Sequence, residues 1–176
     1  MKKSCIPNIF TFMNLSCGVF SLLFTLDSNY IWAGTFILIA GLVDRYDGRI
    51  ARFLDVSSDL GKELDSLADL VSFGVAPAIL SYIIFNLKNV GPYGFLGLVI
   101  LIAFPICGAF RLARYNATTF DGVYTGVPIT IVGCFIALYS IICTYFNFTD
   151  KLQIVSIVLL IIGSYLMVST FKLKKV

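Results

Sequence analysis

The chain contains no histidine and few charged residues. Of its 176 residues, 59% are hydrophobic and 13% are charged, whereas about one quarter of the residues in a soluble domain are charged. Such a chain has too little polar surface to cover a soluble globule, which predicts an integral membrane protein. The absence of histidine excludes Ser-His and Cys-His triads and the commonest nitrogen ligand for transition metals. A catalytic proton acceptor is therefore expected to be a carboxylate, and a bound metal is expected to have oxygen ligands.

The sequence also lacks linker-like tracts and the cysteine spacing of a metal or redox site. No Ser/Gly-rich, Pro-rich or low-complexity tract interrupts the chain, so residues 1–176 are predicted to form a single domain. The five cysteines show no C-x-x-C spacing, and most of them stand inside apolar runs. They are interpreted as small packing residues rather than as disulfides or metal ligands.

Six apolar stretches are long enough to cross a bilayer as helices, which requires about 20 residues each. They predict an all-α integral membrane protein with six transmembrane helices. The predicted spans are residues 6–26, 31–52, 64–85, 93–112, 126–145 and 152–171.

The basic residues predict how these helices are oriented. With six spans, all but two of the 13 Lys and Arg residues fall on the side of the two termini, and the exceptions are Lys88 and Lys151. The positive-inside rule therefore places both termini in the cytoplasm. A basic cytoplasmic rim suits contact with anionic membrane lipids, and nothing in the sequence requires a nucleic acid partner.

The carboxylates are concentrated between the second and third predicted helices. Asp44 and Asp47 are three residues apart, and Asp65 and Asp69 are four apart, so each pair shares a helix face. Gly48 leaves room beside the first pair. Because the connecting loop is short, the two helices are expected to pack as an antiparallel hairpin that brings the four acids together.

Four converging carboxylates repel one another and favour a bound divalent cation. Their oxygen ligands suit Mg²⁺, Mn²⁺ or Ca²⁺, and four acids balance two such ions, an arrangement that can clamp a pyrophosphate. The alternative is a solvated loop in which acids pair with neighbouring Lys and Arg residues. That alternative is the interpretation for Asp55, Asp59 and Glu63.

The stretch "DRYDGRIARFLDVSSDLGKELDSLAD" fits the pattern D-x-x-D-G-x-x-A-R-x8-G-x3-D-x3-D at every fixed position. It resembles the signature of the CDP-alcohol phosphatidyltransferases. The resemblance implies a membrane enzyme of six helices, usually a homodimer, with two Mg²⁺ or Mn²⁺ ions held by Asp44, Asp47, Asp65 and Asp69.

The same resemblance implies roles for individual residues. Asp44 and Asp65 are expected to bridge the two ions, and Asp69 is expected to be the general base. For the N-terminal element "PNIFTFMNLSCG", helix capping or interhelical hydrogen bonding remains the alternative to nucleotide contact. The implied CDP-lipid-binding residues are Asn8, Thr11, Asn14, Gly48, Arg52 and Ser58.

The segments "RLARYN" and "GVP" resemble elements of the family's bacterial and archaeal phosphatidylserine synthases. This resemblance implies that CDP-diacylglycerol and L-serine give phosphatidylserine and CMP at a site open to the cytoplasm. Arg111, Arg114 and Asn116 are the expected acceptor-binding residues, since an arginine suits a carboxylate; otherwise the arginines only follow the positive-inside rule. The open alternatives are a glycerol 3-phosphate or inositol-type acceptor and, from another class, a divalent-cation transporter.

Overall fold

In this computed structural model the backbone is described for residues 5–54, 59–117, 123–149, 151–170 and 172–174, and side chains for residues 8–46, 60–117, 126–149 and 151–170. Nearly all of the described chain is helical. A π-helical segment, Leu70–Val75, joins two of the helices without a break, and two 3-10 turns, Leu87–Asn89 and Pro92–Gly94, follow. The α-helices are α1 (Cys5–Leu26), α2 (Tyr30–Leu54), α3 (Asp59–Asp69), α4 (Ala76–Ile84), α5 (Phe95–Ala117), α6 (Ile129–Tyr145) and α7 (Gln153–Val168).

The helices follow the predicted apolar stretches, but the chain is not purely α-helical. Two short strands, β1 (Val123–Thr125) and β2 (Lys172–Lys174), pair antiparallel. The last predicted span, 152–171, was too long at its end because the helix ends at Val168. The fifth, predicted from residue 126, begins only at Ile129, since Gly126 has a φ of 76° and the extended Pro128 precedes the helix.

Three helical stretches in the described part of the chain are long and apolar enough to cross a membrane, namely Asn8–Leu26, Leu60–Ile84 and Pro92–Ala117. The helices Ile129–Tyr145 and Gln153–Val168 are apolar but shorter. Many large apolar side chains, such as Trp32, are exposed on the outside of the helices, as expected for a surface that contacts lipid. The chain is a membrane protein, whereas six spans and two cytoplasmic termini remain predictions.

The packing of α3 differs from the predicted hairpin. The most extensive contact between two helices joins α1 to α2. Helix α3 packs mainly on α1 and has a smaller contact to α5. Helix α1 therefore contacts both of the helices that carry the acidic motif. Among the described residues, the largest fully buried apolar side chains of the core are Ile37, Phe73, Leu80, Phe85, Leu87, Phe104, Ile129, Leu160 and Met167.

The π-helical segment begins directly after Asp69. Pro77 stands in the first turn of α4; it has no N–H for the carbonyl of Phe73, and in a regular α-helix its ring would clash with that carbonyl. The wider π turn accommodates this proline, and such turns are frequent at functional sites. Helix α6 packs against the same turn, because a Cβ atom on Gly133 would lie 2.6 Å from the Phe73 carbonyl oxygen.

Candidate active site

Three of the predicted acids converge at one point. Asp44 from α2 and Asp65 and Asp69 from α3 each contribute a carboxylate oxygen, and these three oxygens lie within 4.8 Å of one another. Asp69 is buried, and the other two are half-buried. The backbone of Asp47 is part of α2, but its side chain lies outside the described residues.

The three carboxylates form a donor set that fits a divalent cation. All three ligand groups are hard oxygen donors, and the chain has no histidine that would add nitrogen. Bringing three negative charges this close, one of them buried, is costly unless positive charge compensates them. Such oxygen ligands suit hard divalent cations, and the choice of Mg²⁺ or Mn²⁺ remains a prediction.

Asn14 of α1 contacts the most buried of these acids. Its side-chain Nδ2 donates to Oδ1 of Asp69 at 2.9 Å. Its backbone carbonyl accepts a hydrogen bond from Oγ of Ser72 at 2.9 Å. One turn later, α1 approaches the π segment so closely that a Cβ atom on Gly18 would lie 2.5 Å from Ser72 Oγ. The Asn14 amide, only 1% exposed, is thus held against Asp69 by the crossing of the two helices.

Thr130, in the first turn of α6, was not predicted as a site residue. Its Oγ1 hydroxyl donates to Oδ2 of Asp44 at 3.4 Å. The two residues are 86 positions apart in the chain, so no local spacing connects them. The only available signal was the position of Thr130 just after the Gly126–Pro128 turn.

A groove with a volume of about 520 Å³ runs between α2 and α6 beside Asp44. Most of its lining is apolar, and Asp44 and Arg45 supply its charged groups. Gly41 keeps the two helices close, since a Cβ atom there would lie 2.6 Å from Cys134 Sγ. The lining residues are Leu38, Gly41, Leu42, Asp44, Arg45, Thr130, Ile131 and Cys134.

Arg111 lies on α5 next to the acidic cluster. It is 9% exposed, and its Nε has no hydrogen-bond partner in the described part of the chain. Opposite charges attract Arg111 and Asp69 to each other. A buried guanidinium with an unused N–H can bind an anionic group, and the acceptor role of Arg111 remains a prediction.

Arg114 is turned toward the end of α7 instead. Its guanidinium nitrogens donate to the backbone carbonyls of Val168 at 2.9 Å, Ser169 at 3.2 Å and Met167 at 3.5 Å. These carbonyls belong to the last turn of the helix and the residue after it, where the helix itself provides no N–H partners. The guanidinium also lies over the ring of Phe110, 5.9 Å from its centroid.

These contacts predict that Arg114 contributes mainly to stability. Arg114→Ala is expected to reduce the free energy of unfolding by about 1.5–3 kcal/mol, since hydrogen bonds from a charged donor are lost. The measurement is the thermal unfolding temperature in detergent, with Lys88→Ala as a basic-residue control on an exposed turn. An unchanged unfolding temperature together with a raised KM for the acceptor would support the acceptor role predicted from the sequence.

Asn116 also bonds to protein groups. Its Nδ2 donates to Ser66 Oγ at 3.0 Å and to Glu63 Oε1 at 3.2 Å. These bonds connect the end of α5 to α3 within the two turns before Asp69. Its predicted role as an acceptor ligand remains a prediction, and its observed contacts hold together the two helices that carry Arg111 and Asp69.

The remaining predicted CDP-lipid residues differ in how far the structure describes them. Thr11 is buried in α1, one turn before Asn14, and Asn8 is half-buried one turn earlier. Gly48 and Arg52 belong to the helical backbone of α2, but the surroundings of Gly48 and the side chain of Arg52 lie outside the described residues. Ser58 also lies outside them.

Comparison with known proteins gives consistent similarities. The sequence profile of the family described as CDP-alcohol phosphatidyltransferase matches residues 4–170. The CDP-diacylglycerol–serine O-phosphatidyltransferase of Bacillus subtilis is 36% identical over 95% of this chain and 88% of its own length. The protein of the same name from Helicobacter pylori is 32% identical over 94% of this chain and 70% of its own length. The archaetidylserine synthase of Methanothermobacter thermautotrophicus is 31% identical over 90% of this chain and 67% of its own length.

Proposed function

The chain belongs to the CDP-alcohol phosphatidyltransferase family, and we propose that it transfers the phosphatidyl group of CDP-diacylglycerol to L-serine, giving phosphatidylserine and CMP. The observation that carries this proposal is the buried Arg111 beside the Asp44–Asp65–Asp69 carboxylate cluster. The names of the relatives support serine as the acceptor, because bacterial and archaeal proteins share it while their lipid parts differ.

Asp69 and Arg111 together fit the two reactive ends of serine. The hydroxyl and the carboxylate of serine are attached to neighbouring carbons, so both groups fall within a short distance. Asp69 and Arg111 are close enough to attract each other, which allows one serine molecule to reach both. In this arrangement the guanidinium holds the serine carboxylate and leaves the hydroxyl facing Asp69.

The reaction is a displacement at phosphorus. Asp69 accepts the proton of the serine hydroxyl, and the serine oxygen forms a bond to the phosphorus that carries diacylglycerol. The bond from that phosphorus to the bridging oxygen breaks, and CMP leaves with the electron pair. Divalent cations held by Asp44, Asp65 and Asp69, with Asp47 as the fourth predicted ligand, would neutralise the pyrophosphate charge.

The groove between α2 and α6 suits the lipid part of this substrate. Its lining is largely apolar, and two of its polar residues, Asp44 and Thr130, connect it to the carboxylate cluster. An acyl chain in the groove would therefore continue into a phosphate group at the metal site. Under this proposal the predicted nucleotide residues Gly48, Arg52 and Ser58 contact the other end of the substrate.

The contacts of Arg114 favour serine over a phosphorylated acceptor. A phosphate group carries more negative charge than a carboxylate and favours several cationic partners. Within the described chain, Arg111 is buried next to the acids, whereas Arg114 bonds to the end of α7. The family match likewise favours a transferase over the divalent-cation transporter.

Quaternary structure and orientation are also proposals. The family resemblance implies a homodimer in the cell membrane. The distribution of Lys and Arg around the six predicted spans favours an active site on the cytoplasmic side. Chemical cross-linking in native membranes tests the first point.

The acceptor is tested by identifying the lipid product. Purified protein in detergent is supplied with CDP-diacylglycerol, Mn²⁺ and one acceptor at a time: serine, glycerol 3-phosphate, inositol or inositol phosphate. We expect a new lipid only with serine, identified by mass spectrometry as phosphatidylserine. If a product forms only with another alcohol, the family and the displacement mechanism would still hold, but the proposed role of Arg111 in binding the serine carboxylate would be wrong.

A further inference from the structure

Two hydrogen-bond donors reach the carboxylate cluster from helices that do not carry the acidic motif. Asn14 of α1 donates to Asp69, and Thr130 of α6 donates to Asp44. We propose that Asn14 and Thr130 are positioning residues, which hold two of the carboxylates in the orientation that binds the metal. This inference rests on the metal site of the proposed function, and it assigns Asn14 a different role from the nucleotide contact that the family resemblance implies.

The burial of Asn14 supports positioning rather than nucleotide contact. The side chain is 1% exposed, and its amide oxygen is buried without a hydrogen-bond partner in the described chain. The nucleotide head group of CDP-diacylglycerol therefore has no access to either end of the Asn14 amide in this conformation. The donor end meets Asp69 at 2.9 Å, a fully formed hydrogen bond.

The backbone around Asn14 is fixed as well. Ser72, in the π turn that follows Asp69, donates to the carbonyl of Asn14 at 2.9 Å, and Gly18 allows the two helices to approach at this crossing. The segment Asp69–Ser72 is therefore connected to Asn14 twice, by the bond from the Asn14 amide to Asp69 and by the bond from the Ser72 hydroxyl to the Asn14 carbonyl. Such a double connection restricts the rotation of the Asp69 carboxylate, which would otherwise turn away from its negatively charged neighbours.

Thr130 of α6 restrains a different acid of the cluster, Asp44. Its hydroxyl lies 3.4 Å from Oδ2 of Asp44, which is long for an O–H···O hydrogen bond. The effect of removing it is therefore expected to be smaller than that of removing Asn14. Hydrogen bonds to metal-binding carboxylates fix their orientation, and losing one typically weakens metal affinity by about 10- to 100-fold.

The test measures metal binding without turnover. Mn²⁺ affinity of the purified protein is determined from the electron paramagnetic resonance signal of free Mn²⁺, with no substrate present. Asn14→Leu keeps the approximate volume and removes the donor; Thr130→Val keeps the shape and removes the hydroxyl. Thr144→Val is the matched control, because Thr144 lies on the same helix α6 and its buried hydroxyl has no partner in the described chain.

We expect Mn²⁺ to bind about 10- to 100-fold more weakly to Asn14→Leu and about tenfold more weakly to Thr130→Val. Thr130→Ser, which retains a hydroxyl, should recover most of the affinity, and Thr144→Val should match the wild type. At saturating Mn²⁺ the KM for CDP-diacylglycerol should stay within about twofold of wild type in Asn14→Leu, because under this inference the buried Asn14 amide contacts Asp69 and not the substrate.

Other outcomes would overturn the inference. If Asn14→Leu binds Mn²⁺ as the wild type does but has a raised KM for CDP-diacylglycerol, Asn14 is a nucleotide contact. If Thr130→Ser is as weak as Thr130→Val, the hydroxyl does not act through its hydrogen bond. Failure of the proposed function would give a different result. In that case the variants would lose Mn²⁺ affinity as expected, but the wild-type protein would release no CMP when serine is supplied.

Discussion

Replacing Asp69 by asparagine is expected to lower turnover by about 10²- to 10⁴-fold, the usual contribution of a positioned general base. Asparagine has nearly the same shape and retains one oxygen ligand, but it cannot take the proton of the acceptor hydroxyl. Asp69 is the most buried acid of the cluster and the one next to Arg111, so no other described carboxylate is equally placed for this role. CDP-diacylglycerol binding should remain largely intact.

Turnover and binding must be measured separately for this variant. CMP release gives kcat, and equilibrium binding of CDP-diacylglycerol at saturating Mn²⁺ gives the affinity for the lipid substrate. Asp27→Asn, an exposed loop substitution, controls for the loss of a negative charge. Unchanged turnover in Asp69→Asn would remove Asp69 as the base. A loss of lipid binding as large as the loss of turnover would instead make it chiefly a metal ligand.

The second large effect is expected at Arg111. Arg111→Gln removes the positive charge next to Asp69 and should raise the KM for serine by about 10- to 100-fold, since a hydrogen bond to a charged group contributes about 1.5–3 kcal/mol. Arg111→Lys should recover only part of this loss, because an ammonium group cannot make the two parallel hydrogen bonds of a guanidinium to a carboxylate. The KM for CDP-diacylglycerol should change little.

Ethanolamine distinguishes recognition of the carboxylate from a general electrostatic effect. It is serine without the carboxylate, so kcat/KM for ethanolamine should be low in the wild type and nearly unchanged in Arg111→Gln. Selectivity for serine over ethanolamine would therefore collapse in this variant. An equal rise of KM for serine and CDP-diacylglycerol would contradict carboxylate recognition; Lys88→Gln, on an exposed turn, should leave both constants unchanged.

The features that the sequence predicted well are local ones. The helices of the described chain follow from runs of apolar residues, and the meeting of Asp65 with Asp69 follows from a spacing of one helical turn. The inclusion of Asp44 was predicted from the expected packing of the two acidic helices against each other, and the family pattern implied the same. These predictions need only helix geometry and the order of elements along the chain.

Contacts between distant segments were not predictable in the same way. The bond from Thr130 to Asp44 joins residues 86 positions apart, and the bonds from Arg114 reach carbonyls 53 to 55 positions away. Which donor faces which acceptor depends on how the helices pack, and the predicted α2–α3 hairpin did not anticipate that α3 packs mainly on α1. Arg111 and Arg114 were both predicted to bind the acceptor. Because of this packing, Arg111 lies beside the acids, whereas Arg114 bonds to the end of α7.

The β1–β2 pair and the π turn were missed for related reasons. The two strands lie nearly 50 residues apart and have three residues each, so neither has enough length for a period-two pattern. The π turn depends on Pro77 within an otherwise regular apolar stretch. Proline in such a stretch indicates a disturbance of the helix but not its type.

The most direct test of the account is CMP release by purified protein after chelation of divalent cations. The protein, in detergent, is given CDP-diacylglycerol and serine, and Mn²⁺ is then added back to the wild type and to Asp44→Asn. We expect release only when lipid, serine and Mn²⁺ are all present, with Asp44→Asn requiring far more Mn²⁺. Release that persists without serine or under chelation, or that responds to Mn²⁺ equally in both proteins, would contradict a serine transferase built on this carboxylate cluster.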